Sequence, residues 1–392
     1  MIKLIHPGAA GTALRLLLAL AAAACGILAL PKAGLWAFAP LAPALLVLAC
    51  AGVGAAAGAG LGFLFGVVSA FGIYGWMFEV AGFGLLHAAV LGTYLGIYPA
   101  IFGAALAPLS RARVPLAWSA AAAWTALDVL RAHAGFLAFP WGSLGLSQAP
   151  DLPLLQTAAV LGEEGVTFLV VLLGAAVAKA ILERRIRPLA VPAATVALAC
   201  AAGVVRLVLP APPATLRVAA VQPSILREER ATRDGERATL RRLETLTRKA
   251  SEGRPALIVW PETAVRRVAE DESSFEWVQG LADATGTTLI VGASQSEKFP
   301  SADAPGGTGF RVQQTNLAVA FRPREADPQT YSKNLLVPFA EYLPLPSFPW
   351  PKALVGKTFD VVPGDGPQVL HLADGTPVAA LICWENLFSD YV

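Results

Sequence analysis

Apolar residues follow two different patterns in this chain, and the change comes near position 210. Upstream lie seven apolar runs, near 12–30, 35–53, 57–79, 84–108, 116–134, 161–182 and 189–209. Each is close to the roughly 20 residues of helix that a bilayer core takes. Downstream the runs shorten to LRVAAVQ (216–222), ALIVW (256–260), TLIVGA (288–293), NLAVAF (316–321) and PVAALIC (377–383), which have the length and β-branched content of buried strands. Between the first two lies a charged stretch with Leu240, Leu243 and Leu246 at helical spacing, and residues 273–285 separate the next two. Strand and helix alternate there, which predicts a layered α/β domain.

The boundary has its own chemistry. The prolines of PAPPA, starting at Pro210, cannot continue a helix, so residues 211–215 read as a short stiff linker between a membrane domain (1–210) and a second domain (216–392). Glycines 52, 54, 58, 60, 62 and 66 recur at a spacing suited to close helix contact. Lys and Arg are retained on the cytoplasmic side of short loops. With the N-terminus inside, the inner loops carry Lys3, Arg111, Arg113, Arg184, Arg185 and Arg187, while the outer loops carry Lys32 and little else. Seven crossings then place everything after Pro210 on the outer face, the periplasm in a bacterium. Asp128 and Arg131, three apart on one predicted span, are expected to pair with each other.

Composition agrees with a polytopic membrane protein. The chain is 55% hydrophobic and 15% charged, with mean hydropathy +0.57. Only 17 charged residues precede position 211, and 41 follow it. A net charge of +2, with no basic stripe and interleaved aromatics, gives no footprint for nucleic acid. Four cysteines offer neither a disulfide framework nor metal spacing, and Cys25, Cys50 and Cys200 sit in lipid-like runs where a thiol acts as a small hydrophobe.

Cys383 is different, because it ends a predicted strand and is followed at once by Trp384 and Glu385. Two other blocks carry reactive groups near strand ends: LIVWPE delivers Glu262, and TYSKNLLVPF delivers Lys333. Loops at the carboxyl ends of strands are where layered α/β domains gather catalytic groups. A thiol needs a base to become a nucleophilic thiolate, and attack on a carbonyl needs a donor for the oxyanion. Glu262 and Lys333 supply those chemistries. A buried core cysteine and a solvated surface lysine are the alternatives for two of the three.

WPET, the lysine followed by LVPFAEYLP, and CWE resemble the three catalytic blocks of the nitrilase, or carbon-nitrogen hydrolase, superfamily, in the order Glu, Lys, Cys. Joined to an apolar helical half with FPWGSLGLSQ, LGEEGVTFLVVL and GLGFLFGVVSAFGIYGW, they are similar to the bacterial apolipoprotein N-acyltransferases. The resemblance implies a polytopic helical membrane bundle followed by a nitrilase-like layered sandwich. It makes Cys383 the nucleophile, Glu262 the general base and Lys333 the oxyanion stabiliser. Glu341 becomes an orienting carboxylate, with Trp384 and Glu385 in support. The chain departs from the pattern at Leu335, where the family usually has histidine, and at Ala340, where it usually has glycine. Because relatives continue past the cysteine, a sandwich incomplete at its C-terminal end is expected.

The activity implied is transfer of a fatty acyl chain from a membrane phospholipid, through a cysteine thioester, to the N-terminal amine of an apolipoprotein. It would proceed at the periplasmic side of the inner membrane, in a monomer, with no cofactor or metal. Phe348, Trp350 and Phe359, in a Pro-rich loop near Lys333, form a candidate lid dipping into the interface. Two other readings remain at this point: a membrane-tethered amidase using the same triad, and a transporter or receptor whose outer domain only binds.

Overall fold

The computed structural model describes residues 9–80, 82–210, 216–226, 232–266, 268, 271–300, 310–351, 354, 360–388 and 391. The chain divides into two compact units, Met1–Ala211 and Pro212–Val392. The linker expected at 211–215 lies outside the described residues.

The first unit is helical: α1 (Ala9–Ala29), α2 (Leu41–Cys50), α3 (Ala55–Ile73), α4 (Leu85–Leu109), α5 (Leu116–Ala132), α6 (Leu152–Leu155), α7 (Ala158–Glu183) and α8 (Arg187–Val208). Among the described residues, five of these (α1, α3, α4, α7 and α8) are long and apolar enough to cross a membrane, where the sequence pattern predicts seven runs. The run at 35–53 is divided, because Pro40 ends a short 3-10 turn and begins the ten-residue α2. The run at 116–134 yields a 17-residue helix that stops at His133.

Missing side chains set the contact between α3 and α4. A Cβ on Gly58 or Gly62 would overlap the backbone carbonyls of Gly103 and Pro99, so the two helices meet backbone to backbone. Within this unit Asp128 and Arg131 pair as a largely buried ion pair. Arg131 donates to Asp128 at 3.0 Å, as its spacing predicts, and also to the carbonyls of Phe139 and Trp141, pinning the following loop to the end of α5.

The second unit is built on a mixed sheet. Its strands are β1 (Val218–Ala220), β2 (Leu257–Val259), β3 (Val265–Arg266), β4 (Thr288–Pro300), β5 (Phe310–Phe321), β6 (Gln329–Ser332) and β7 (Asp360–Val361), in the order β1-β2-β4-β5-β6 with β3 on β4 and β7 on β5. The pairs β1–β2 and β2–β4 are parallel, while β4–β5 and β5–β6 are antiparallel. Helices α9 (Arg233–Ser251) and α10 (Glu272–Thr285) supply the crossovers. Thr232 and Asp271 cap their N-termini by accepting from Gly235 and Ser274. A separate two-stranded ribbon pairs β8 (Val369–His371) with β9 (Pro377–Ala379).

The period-2 alternation of the strands sorts two cores. Leu289, Val291, Val319 and Phe321 pack with Leu243, Val278 and Leu281 of the helices. Ile290, Ala318 and Ala320 instead join Tyr331, Leu370 and Ile382. Strands β4 and β5 run well past their apolar segments, because Ser294–Lys298 opposite Val312–Asn316 pair across the ladder without needing burial on both faces. The strand expected to end at Cys383 stops earlier, at Ala379.

Candidate active site

Glu262 sits where β2 gives way to the turn Trp260–Pro261, with Trp260 still donating its amide to Ile290 at 2.8 Å. The backbone of Pro261 and Glu262 passes so close to Gly292 of β4 that a Cβ there would overlap both. Glycine is therefore required at that position. From β5, Asn316 donates its Nδ2 to Glu262 Oε1 at 2.6 Å. Asn316 thus aims the carboxylate.

Lys333 lies immediately after β6. Its amide donates to the Asn316 carbonyl and its own carbonyl accepts from Gly364, both at 2.9 Å, so the backbone is held on two sides. The ammonium, 1% exposed, donates to Glu341 Oε1 at 2.7 Å, and Glu341 Oε2 accepts the Val337 amide at 2.7 Å. A buried cation with one carboxylate partner keeps further donors for a second anion.

Cys383 opens a 3-10 turn, Cys383–Leu387, with φ of +56°. The left-handed conformation costs an L-residue roughly 1–2 kcal/mol and needs outside support. Glu385, fully buried, provides it. Its two oxygens accept the amides of Ile382 at 2.7 Å, Asn334 at 2.7 Å and Leu335 at 3.1 Å, together with the Tyr331 hydroxyl at 2.9 Å from each. One carboxylate therefore ties the cysteine turn to the lysine block. Trp384 is buried edge-on against Phe388, with ring centroids 5.3 Å apart.

The three blocks meet electrostatically at the thiol. Cys383 is an exposed residue, yet its surroundings partly desolvate the sulfur, which pushes the thiol up from its ordinary value, and Glu262 raises it further. Lys333 pulls it down, Glu341 raises it, and the Trp384 amide lowers it slightly. The net direction is upward, which favours a protonated thiol at rest.

The two departures from the family pattern touch this geometry only lightly. Leu335 engages Glu385 through its backbone amide, which any residue but proline provides. In the Ala340 region the left-handed residue is Phe339, at φ of +62°. The candidate lid is internally packed: Trp350 lies 5.0 Å from Phe339 and 4.6 Å from Phe348 between ring centroids, and its Nε1 donates to the Pro344 carbonyl at 2.7 Å. Phe348 is 52% exposed, and Phe359 lies outside the described residues. Sequence reasoning passed over Asn316 and Tyr331. The signals were present, as the polar residue at the head of the apolar run 316–321 and as a tyrosine two positions before Lys333.

Residues 22–176 match the apolipoprotein N-acyltransferase N-terminal domain, and residues 217–392 match the carbon-nitrogen hydrolase domain. The apolipoprotein N-acyltransferase of Photobacterium profundum is 30% identical over 401 residues, covering 96% of this chain and 74% of that protein. Those of Geobacter metallireducens (30% over 387 residues; 93% and 71%) and Rhizobium rhizogenes (31% over 419 residues; 95% and 74%) are similarly related. With an apolar helical unit, a carbon-nitrogen hydrolase sheet and relatives of this similarity over most of its length, the chain belongs to the apolipoprotein N-acyltransferase family, an enzyme class of the carbon-nitrogen hydrolase superfamily.

Proposed function

We propose that this enzyme acylates the N-terminal amine of apolipoproteins by a two-step transfer through Cys383. In the first step Glu262 takes the thiol proton and the thiolate attacks the ester carbonyl of a membrane phospholipid. Lys333 stabilises the tetrahedral oxyanion, the carbon–oxygen bond breaks, and Glu262 returns the proton to the departing glycerol oxygen. A thioester and a lysophospholipid result. In the second step the amine of a diacylglyceryl-modified cysteine attacks the thioester, Glu262 takes its proton, the carbon–sulfur bond breaks, and Glu262 hands the proton to the sulfur to restore the thiol. Amines attack thioesters readily and the amide is the more stable product, so the second step draws the first forward.

The observation that carries this reading is the tie between the three blocks: Asn316 bonds both Glu262 and the Lys333 amide, and Glu385 bonds the cysteine turn to the residues after Lys333. Glu341 orients the lysine, and Glu385 with Trp384 fixes the cysteine turn. Basic residues of the short loops support a catalytic unit on the outer, periplasmic side of the inner membrane. Phe348 and Trp350 serve as a lid at the interface, and the protein works as a monomer.

Incubation with phospholipid labelled in its acyl chain tests the scheme. Label should appear on Cys383 as a hydroxylamine-sensitive bond, vanish in Cys383→Ala, and pass to a diacylglyceryl-cysteine peptide on addition. Ammonia release from small amides without any label on Cys383 would favour amide hydrolysis and refute acyl transfer.

A further inference from the structure

Tyr331 lies on β6, two residues before Lys333, which follows the strand at once. Lys333 reaches Glu341, whereas Tyr331, 1% exposed, reaches Glu385 in the cysteine turn. Its hydroxyl lies 2.9 Å from both oxygens of Glu385, which restricts rotation of that carboxylate. The hydroxyl is itself placed by Asn334 Nδ2, which donates to it at 3.2 Å, and the Tyr391 hydroxyl lies 3.0 Å away. Asn334 is in turn clamped to Gly366, accepting its amide at 2.7 Å and donating to its carbonyl at 3.1 Å.

We propose that Tyr331 is a positioning residue for the nucleophile: through Glu385 it sets where Cys383 stands relative to Lys333. A rotation of the Glu385 carboxylate would shift the Ile382 amide, and Cys383 follows Ile382 in a backbone conformation that has little tolerance of its own. The end of β6 and the residue after it thereby hold the oxyanion donor and, by way of a single carboxylate, the attacking sulfur. The proposal rests on Cys383 being the nucleophile, but its test does not require the acyl-transfer chemistry.

The test is alkylation of Cys383 by iodoacetamide across pH in the full chain in detergent, read site by site by mass spectrometry. Tyr331→Phe should change the rate at Cys383 by about tenfold, the scale of one lost hydrogen bond to a charged group, and displace its pH midpoint. In a Glu385→Gln background the same substitution should add nothing further. Tyr391→Phe, which leaves Glu385 all its donors, should stay near the wild-type rate and serves as the control if Glu385→Gln does not fold. A Tyr331→Phe protein with unaltered rate and midpoint would overturn the proposal. So would full multiplicative effects in the double variant, or an equal effect of Tyr391→Phe. Normal alkylation behaviour of this series with no label taken from phospholipid would refute the acyl-transfer scheme and leave the positioning role supported.

Discussion

Asn316 Nδ2 lies 2.6 Å from Glu262 Oε1, and the same residue's backbone oxygen accepts the Lys333 amide at 2.9 Å. A single position on β5 thus joins the proposed base to the proposed oxyanion donor. Asn316→Leu keeps the volume and removes the tether. Thioester formation should fall by about a hundredfold, the scale on which small misplacements of a catalytic group act. Stability should hold, because Asn316 Oδ1 is buried with no hydrogen-bond partner and its loss relieves an unsatisfied atom. Single-turnover labelling and thermal unfolding together check the split.

The Cys383 thiol should titrate above its ordinary value of 9.0, since burial and Glu262 outweigh the Lys333 charge. Two substitutions should move the midpoint in opposite directions. Glu262→Gln removes a carboxylate that raises it, so the midpoint falls. Lys333→Met removes the cation that lowers it, so the midpoint rises. Acyl transfer should drop in both, and the pH dependence of alkylation separates them.

The Lys333–Glu341 pair predicts a stability signature. Glu341→Leu leaves a cation that is 1% exposed without its carboxylate, which should cost about 3 kcal/mol. The double variant Lys333→Met/Glu341→Leu should recover most of that loss while remaining inactive. Denaturant unfolding with a parallel activity assay measures both.

In the membrane unit, Gly62→Leu should separate α3 from α4, since even a Cβ there would overlap the Pro99 carbonyl. An overpacked contact of this kind costs about 1–3 kcal/mol. The expected readout is a lower melting temperature in detergent. An equivalent change at Gly60, with open space around it, should have little effect.

Apolar run length and strand spacing made the division of the chain, the alternation of strand and helix in the second unit, and the Glu, Lys and Cys blocks legible before any coordinates. What escaped was long-range and polar. Asn316 reads in sequence as the first letter of a strand, and its meaning depends on β5 lying beside the end of β2. The prolines that divide residues 35–53 were visible, yet apolarity alone treats Pro40 as one more lipid-compatible residue. Ser294–Lys298 has no apolar alternation to mark it as strand, because its order comes from pairing with β5.

The left-handed backbone at Cys383 narrows which residues the site can accept there. A threonine, although it carries a nucleophilic hydroxyl, would crowd its branched Cβ against its own peptide group at φ of +56°. Serine fits the same torsion but offers a far more basic and less nucleophilic oxygen. Backbone shape and sulfur chemistry therefore act as two separate filters on one codon, and among side chains with a nucleophilic atom one bond beyond Cβ, cysteine passes both.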